Sequence, residues 1–142
     1  MILLDANLLL YAGVRELARH EAARVWLDER LNGSVRVGFP WPSLLAFVRI
    51  ASNPRVFDRP ASVAQAWQCA TEWLDCTPSW IPEPTERHRE LMDGFLRGVV
   101  TSSKLVPDAH LAALAIEHGL TLCTTDGDFA RFPGLRIENP LA

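Results

Sequence analysis

The chain has 142 residues with a formal net charge of −3, and 49% of its residues are apolar against 22% charged. That is the balance of one soluble globular domain with a sizeable core, and it argues against a generic, charge-driven nucleic-acid binder, although local basic clusters can still act. No run approaches the ~20 apolar residues of a membrane span, and an N-terminus without a basic leader, interrupted at once by Asp5, does not read as a signal peptide. The three cysteines Cys69, Cys76 and Cys123 form no CxxC pair, so buried, reduced thiols in a cytoplasmic protein without membrane contact are expected.

In chain order, Ile2 to Leu4 predict a first strand, with a helix starting near Asn7 as its N-cap. "HEAARVWLDERL" carries Ala22, Val25, Trp26 and Leu31 at helical spacing before Gly33 stops it. "VRVGFP" (35–40) is a short β-rich run closed by proline, and "PSLLAFVRIAS" returns to helical period. "NPRVFDRP" is turn material, and the stretch from Ala61 to Asp75 predicts a helix with Trp67 and Trp73 on its packed side. "SWIPEP" is a weak strand candidate. Helices are expected over Glu86 to Leu96 and Pro107 to His118, with Gly119 ending the second. "LTLCTT" (120–125) is the clearest strand and "LRIENP" (135–140) a final short one. No linker divides the chain, so residues 1–142 form a single domain. Strands alternating with helices indicate an α/β architecture with a largely parallel sheet.

Three acidic motifs stand out: "LLDAN" with Asp5, "VPDAHLAALAIEHG" with Asp108, and "TTDGDF" with Asp126 and Asp128. In open α/β sheets, sites lie beyond the carboxyl ends of the strands, and Asp5 and Asp126 each follow an apolar strand. The helix from Pro107 enters the strand at Leu120 through Gly119 alone, so it runs antiparallel to that strand and returns Asp108 to the same edge. Taken singly, Asp108 reads as a helix cap and "TDGD" as a turn; together they converge. A cluster of ionised acids needs a cation, and hard oxygen ligands suit Mg²⁺, for which Mn²⁺ can substitute. The chemistry that follows is phosphodiester hydrolysis.

These three motifs, with "FPWPSLLAFVRIASNPRVF" between them, resemble the PIN-domain ribonucleases, in particular the VapC-like toxins of bacterial toxin–antitoxin pairs, over essentially the whole chain. The resemblance implies a three-layer α/β/α sandwich with a mainly parallel four- to five-stranded sheet. It also implies a Mg²⁺-dependent endoribonuclease site, a homodimer and a VapB-like antitoxin that blocks the site. By this likeness Asp5, Asp108 and Asp126 are the catalytic, metal-holding acids, and Asp128, Thr125 and Asn7 support them. One departure is plain. PIN domains carry a Glu on the helix after the second strand, in a pattern like "ELLRI"; here the residues read "AFVRI", with Ala46 in its place, and the helix 41–52 contains no acid. Glu117, nine residues beyond Asp108, points to roughly the opposite face at about 100° per residue. One firmly held Mg²⁺ is therefore expected, with any second ion brought by the substrate.

Arg49, Arg55 and Lys104 are candidates for RNA phosphates, and Trp41 for stacking a base. His20, His88, His110 and His118 show no metal spacing. No nucleophile elbow or Gly-rich phosphate loop is present. The expected substrate is structured RNA with an accessible loop, tRNA or rRNA. Against this stands a catalytically weakened PIN scaffold acting mainly by binding RNA or its antitoxin, supported by the missing Glu. An aspartyl-phosphate phosphatase ranks below both, because Asn7 stands where its second Asp belongs.

Overall fold

The computed structural model describes residues 1–142. Five strands, β1 (Ile2–Leu4), β2 (Val37–Gly38), β3 (Ser79–Trp80), β4 (Thr121–Cys123) and β5 (Arg136–Glu138), make one sheet in the order β3-β2-β1-β4-β5. Every pairing is parallel. Six helices connect them: α1 (Ala6–Gly13), α2 (His20–Leu31), α3 (Trp41–Ala51), α4 (Val63–Leu74), α5 (His88–Arg97) and α6 (Val106–Glu117).

The strands are short, and side-chain alternation sorts their residues into two cores. Leu4, Val37 and Cys123 pack with Leu8, Leu27, Leu44, Phe47 and Ala66 of α1 to α4. Leu3 and Leu122, one residue out of phase, pack with Phe95 of α5 and the Leu111–Ala115 stretch of α6. Leu3 and Leu4 are fully buried on opposite faces, each contributing about 1.5–3 kcal/mol. The result is the expected α/β/α sandwich, with five strands and no antiparallel member. Strand β1 is central, so whatever follows it stands mid-edge, between the two helical layers.

Three expectations are corrected. Helix α1 starts at Ala6, beside the expected Asn7, but its cap is Asp5 and not Asn7: the Asp5 backbone is extended (φ −79°, ψ 153°) and its carboxylate accepts the Ala6 N–H at 2.8 Å. Trp67 is not packed inward. It is 40% exposed and lies nearly parallel to Trp41, 13° apart with centroids 6.3 Å apart. The α4 stripe that meets the core is Ala66 and Ala70, and Trp67 sits about 100° around the helix from Ala66. Trp73 does pack, against Phe39 and Phe47. The capping box of Ser62 and Gln65 starts α4 two residues after the expected Ala61. All three cysteines are free thiols, with Cys123 buried and the other two partly so. No helix is long and apolar enough to cross a membrane.

Candidate active site

A small open cleft of about 120 Å³ lies beyond the carboxyl end of β1, lined by Asp5, Pro42, Ser43, Ala46, Pro107 and Asp108 among others. Its walls come from different layers: Asp5 and the first turns of α3 on one side, Asp108 in the first turn of α6 on the other. Pro107 at the second helical position is tolerated because that N–H has no partner within the helix. Gly119, in the left-handed region at φ 67°, turns the chain from α6 back into β4. The antiparallel return deduced from the sequence is therefore present, and it sets two distant carboxylates at one edge.

Asp5 is held rigidly. Besides the Ala6 N–H, its second oxygen accepts the hydroxyl of Thr124 at 2.7 Å. Thr124 is 1% exposed. Its oxygen also accepts the Asp126 N–H at 3.0 Å and the Asn7 amide Nδ2 at 3.4 Å. The bonded threonine is thus Thr124, which follows the inward-facing Cys123, whereas its neighbour Thr125 makes no side-chain hydrogen bond to the acids. Asn7 and Asp126 both join this network through Thr124. The carboxylate of Asp126 caps the following 3₁₀ turn (Gly127–Arg131), accepting the Asp128 N–H at 2.9 Å. Asp128 is exposed and pairs with Arg131 at 3.7 Å.

The electrostatics are those of crowded like charges. Burial, and then the charges of Asp126, Asp5 and Asp128, push Asp108 up to about 6, with Arg131 pulling the other way. Burial also raises Asp5, and the charge of Asp126 adds to it, against the hydrogen bonds of Thr124 and Ala6. Two buried polar atoms beside these acids have no partner: Asn7 Oδ1 and Ser43 Oγ. No three His, Cys, Asp or Glu side chains stand together as a ready-made metal cage. Mg²⁺ does not require one, since it binds through one or two carboxylates and completes its shell with water and phosphate oxygens. Mutually repelling carboxylates and orphaned neutral oxygens fit such an ion.

The remaining sequence candidates divide. Lys104, in the 3₁₀ turn Ser103–Leu105, precedes the Asp108 helix directly. Arg49 lies in the last turn of α3, one turn beyond the cleft residue Ala46, and neither it nor Arg55 lines the cleft itself. Glu117 is turned elsewhere, with its side chain fully buried, bonded to His88 Nδ1 at 2.6 Å and accepting the Thr85 N–H. Arg131 was not singled out from the sequence; the 3₁₀ turn folds it back toward the acids. The largest cavity, about 470 Å³, is lined by Gly13, Phe47, Phe57 and Arg59 among others, at the far ends of α1 and α3 from the acids.

The PIN-domain profile matches residues 2–135. The chain belongs to the PIN-domain family. Among its relatives, Ribonuclease VapC37 of Mycobacterium tuberculosis is 42% identical over 142 residues, covering 100% of this chain and 99% of that protein. Ribonuclease VapC33 of the same species is 37% identical over 99% of both. The structure of this PIN domain resembles the DNA-bound VapBC crystal structure from Salmonella typhimurium (TM-score 0.68, 16% identity, 99% of both chains). It also resembles VapBC2 from Rickettsia felis bound to a promoter DNA fragment (TM-score 0.66, 19% identity, 98% of both).

Proposed function

We propose that this PIN domain is a Mg²⁺-dependent endoribonuclease, the toxin of a toxin–antitoxin module, hydrolysing phosphodiester bonds in tRNA or rRNA and neutralised by a VapB-like antitoxin. The observation that carries the reading is the meeting of Asp5 and Asp108, from two layers, in one cleft where their charges oppose each other. Full-length relatives named VapC ribonucleases support the activity, and neighbours in VapBC complexes support an antitoxin partner.

Asp5 and Asp108 would hold the cation, with Asp126 close enough to add its charge. When bound, the ion neutralises the acids and offsets the charge that builds on a phosphodiester during hydrolysis. The protein's own contribution is orientation. Thr124 fixes one oxygen of Asp5, the Ala6 N–H fixes the other, and Asn7 steadies Thr124. Lys104, four residues before Asp108, and Arg131, paired with Asp128, are the cations on the segments that carry the acids and would take substrate phosphates. Trp41 immediately precedes the cleft residues Pro42 and Ser43 in sequence. With Leu45, Val63 and Trp67 it leaves an apolar face, each residue 38–64% exposed, suited to a second copy of the chain in a homodimer.

The test is cleavage of defined tRNAs and rRNA fragments by purified, antitoxin-free protein, with Mg²⁺ and with EDTA. Cleavage that needs Mg²⁺ and disappears in Asp5→Asn is expected. Equal inertness of wild type and Asp5→Asn on every RNA would sink the nuclease reading. RNA binding retained under those conditions would favour the weakened scaffold to which Ala46 points.

A further inference from the structure

Helix α3 faces the acids without a carboxylate of its own, yet its wall of the cleft is not wholly apolar. Ser43 lies one turn before Ala46, on the same face, and both line the cleft with Asp5 and Asp108. Ser43 is 1% exposed, and its hydroxyl has no hydrogen-bond partner. A serine in a helix ordinarily turns its hydroxyl back onto a carbonyl of the preceding turn, as Ser52 does at the other end of α3, donating to Val48 O at 2.7 Å. Ser43 makes no such bond: the Pro40 carbonyl one turn back accepts only backbone donors, the Ser43 N–H at 3.0 Å and the Leu44 N–H at 3.1 Å. A buried hydroxyl left unpaired is costly and uncommon in a folded protein. Here it belongs to a residue that lines one cleft with two acids and the alanine that stands where a third would be.

We propose that Ser43 is a positioning residue of the metal site, its neutral hydroxyl anchoring the hydration shell of the divalent cation from the α3 wall that Ala46 leaves without a carboxylate. The inference rests on the metal reading given above. A hydroxyl brings no charge, so it adds nothing to the repulsion between Asp5 and Asp108. It can also accept or donate as the shell requires. It gives the ion a third direction of attachment, without which the two acids hold it only from β1 and α6. Partners outside the first coordination sphere typically change metal affinity by about 10–100-fold when removed.

The experiment is a Mn²⁺ titration of the full chain by calorimetry, with the melting temperature of the metal-free protein recorded in parallel. Ser43→Ala should weaken Mn²⁺ binding by about 10-fold or more, and the metal-free protein should melt at the same temperature or higher, since an unpaired polar group has been removed. Adding Ala46→Glu to Ser43→Ala should restore Mn²⁺ affinity. Unchanged affinity in Ser43→Ala overturns the proposal. So does a joint loss of melting temperature and affinity that Ala46→Glu fails to repair. If the wild type itself takes up no Mn²⁺, the metal reading of the acid cleft falls together with this inference; a wild type that binds and a Ser43→Ala that binds equally well removes the inference alone.

Discussion

Asp108 is placed where its charge is opposed by two other aspartates and by burial. Removing the charge should relieve the metal-free protein. Asp108→Asn should raise its melting temperature by about 2–4 °C, the gain being trimmed by solvent screening because the residue is only half-buried. The same substitution should abolish Mg²⁺-dependent RNA cleavage. The pH dependence has the matching sign. An acid whose value rises from 3.8 to about 6 on folding binds more protons in the folded state between those limits, so stability increases as pH falls through that window. Asp5 is raised as well and acts in the same direction. Thermal melts of wild type and Asp108→Asn from pH 7 to pH 4, in EDTA, should converge toward the acid end. Thr124 is the second residue to test. Thr124→Val keeps the shape but strips the partner from Asp5 and from the Asp126 N–H, and a loss of about 1–3 kcal/mol in urea melts is expected.

At the scale of elements, the close approach of β2 to β1 depends on Gly38. A Cβ there would meet Pro82 Cγ at 2.9 Å and Ile2 O at 3.1 Å, and the backbone of a parallel pair has little room to yield. Gly38→Val should cost about 1–3 kcal/mol by overpacking, read as a lower urea midpoint at unchanged slope. Helix α6 is tied by its far end too: Glu117, fully buried, holds His88, whose other ring nitrogen lies 3.0 Å from His110 Nδ1. Elements of this kind were legible in the sequence where punctuation marks them. Pro107 and Gly119 bracket α6, the runs Ile2–Leu4 and Thr121–Cys123 mark β1 and β4, and from these alone Asp5 and Asp108 could be brought to one edge. What stayed hidden depends on a single residue of register. Thr124 and Thr125 are indistinguishable by type, and only the strand's alternation decides which hydroxyl turns to Asp5. Ser43 is hidden for another reason: a serine in the first turn of a helix is ordinary until its hydroxyl is found buried without a partner. Trp67 was misplaced because two small alanines, not the large indole, face the core.

For the whole molecule, four exposed apolar side chains meet on the α3–α4 face, where Trp41, Leu45, Val63 and Trp67 are 38–64% exposed. A self-associating chain would bury them. Sedimentation at micromolar concentration should find a dimer for wild type and a monomer for Trp67→Glu, with unchanged circular dichroism since Trp67 contributes little to either core. A monomeric wild type would leave the face to another partner.

The topology also sets an order in time. Strand β1 is made first, yet it sits in the middle of the sheet, and its neighbour β4 and the Asp5 partner Thr124, 119 residues away, are made among the last. A ribosome adding about 5–20 residues per second needs roughly 6–24 s to cover that span. Throughout it the N-terminal aspartate has neither the hydroxyl that aims it nor the helix that opposes it. A nascent chain of this fold therefore lacks the assembled acid cleft, which comes into being only as the last quarter of the chain emerges.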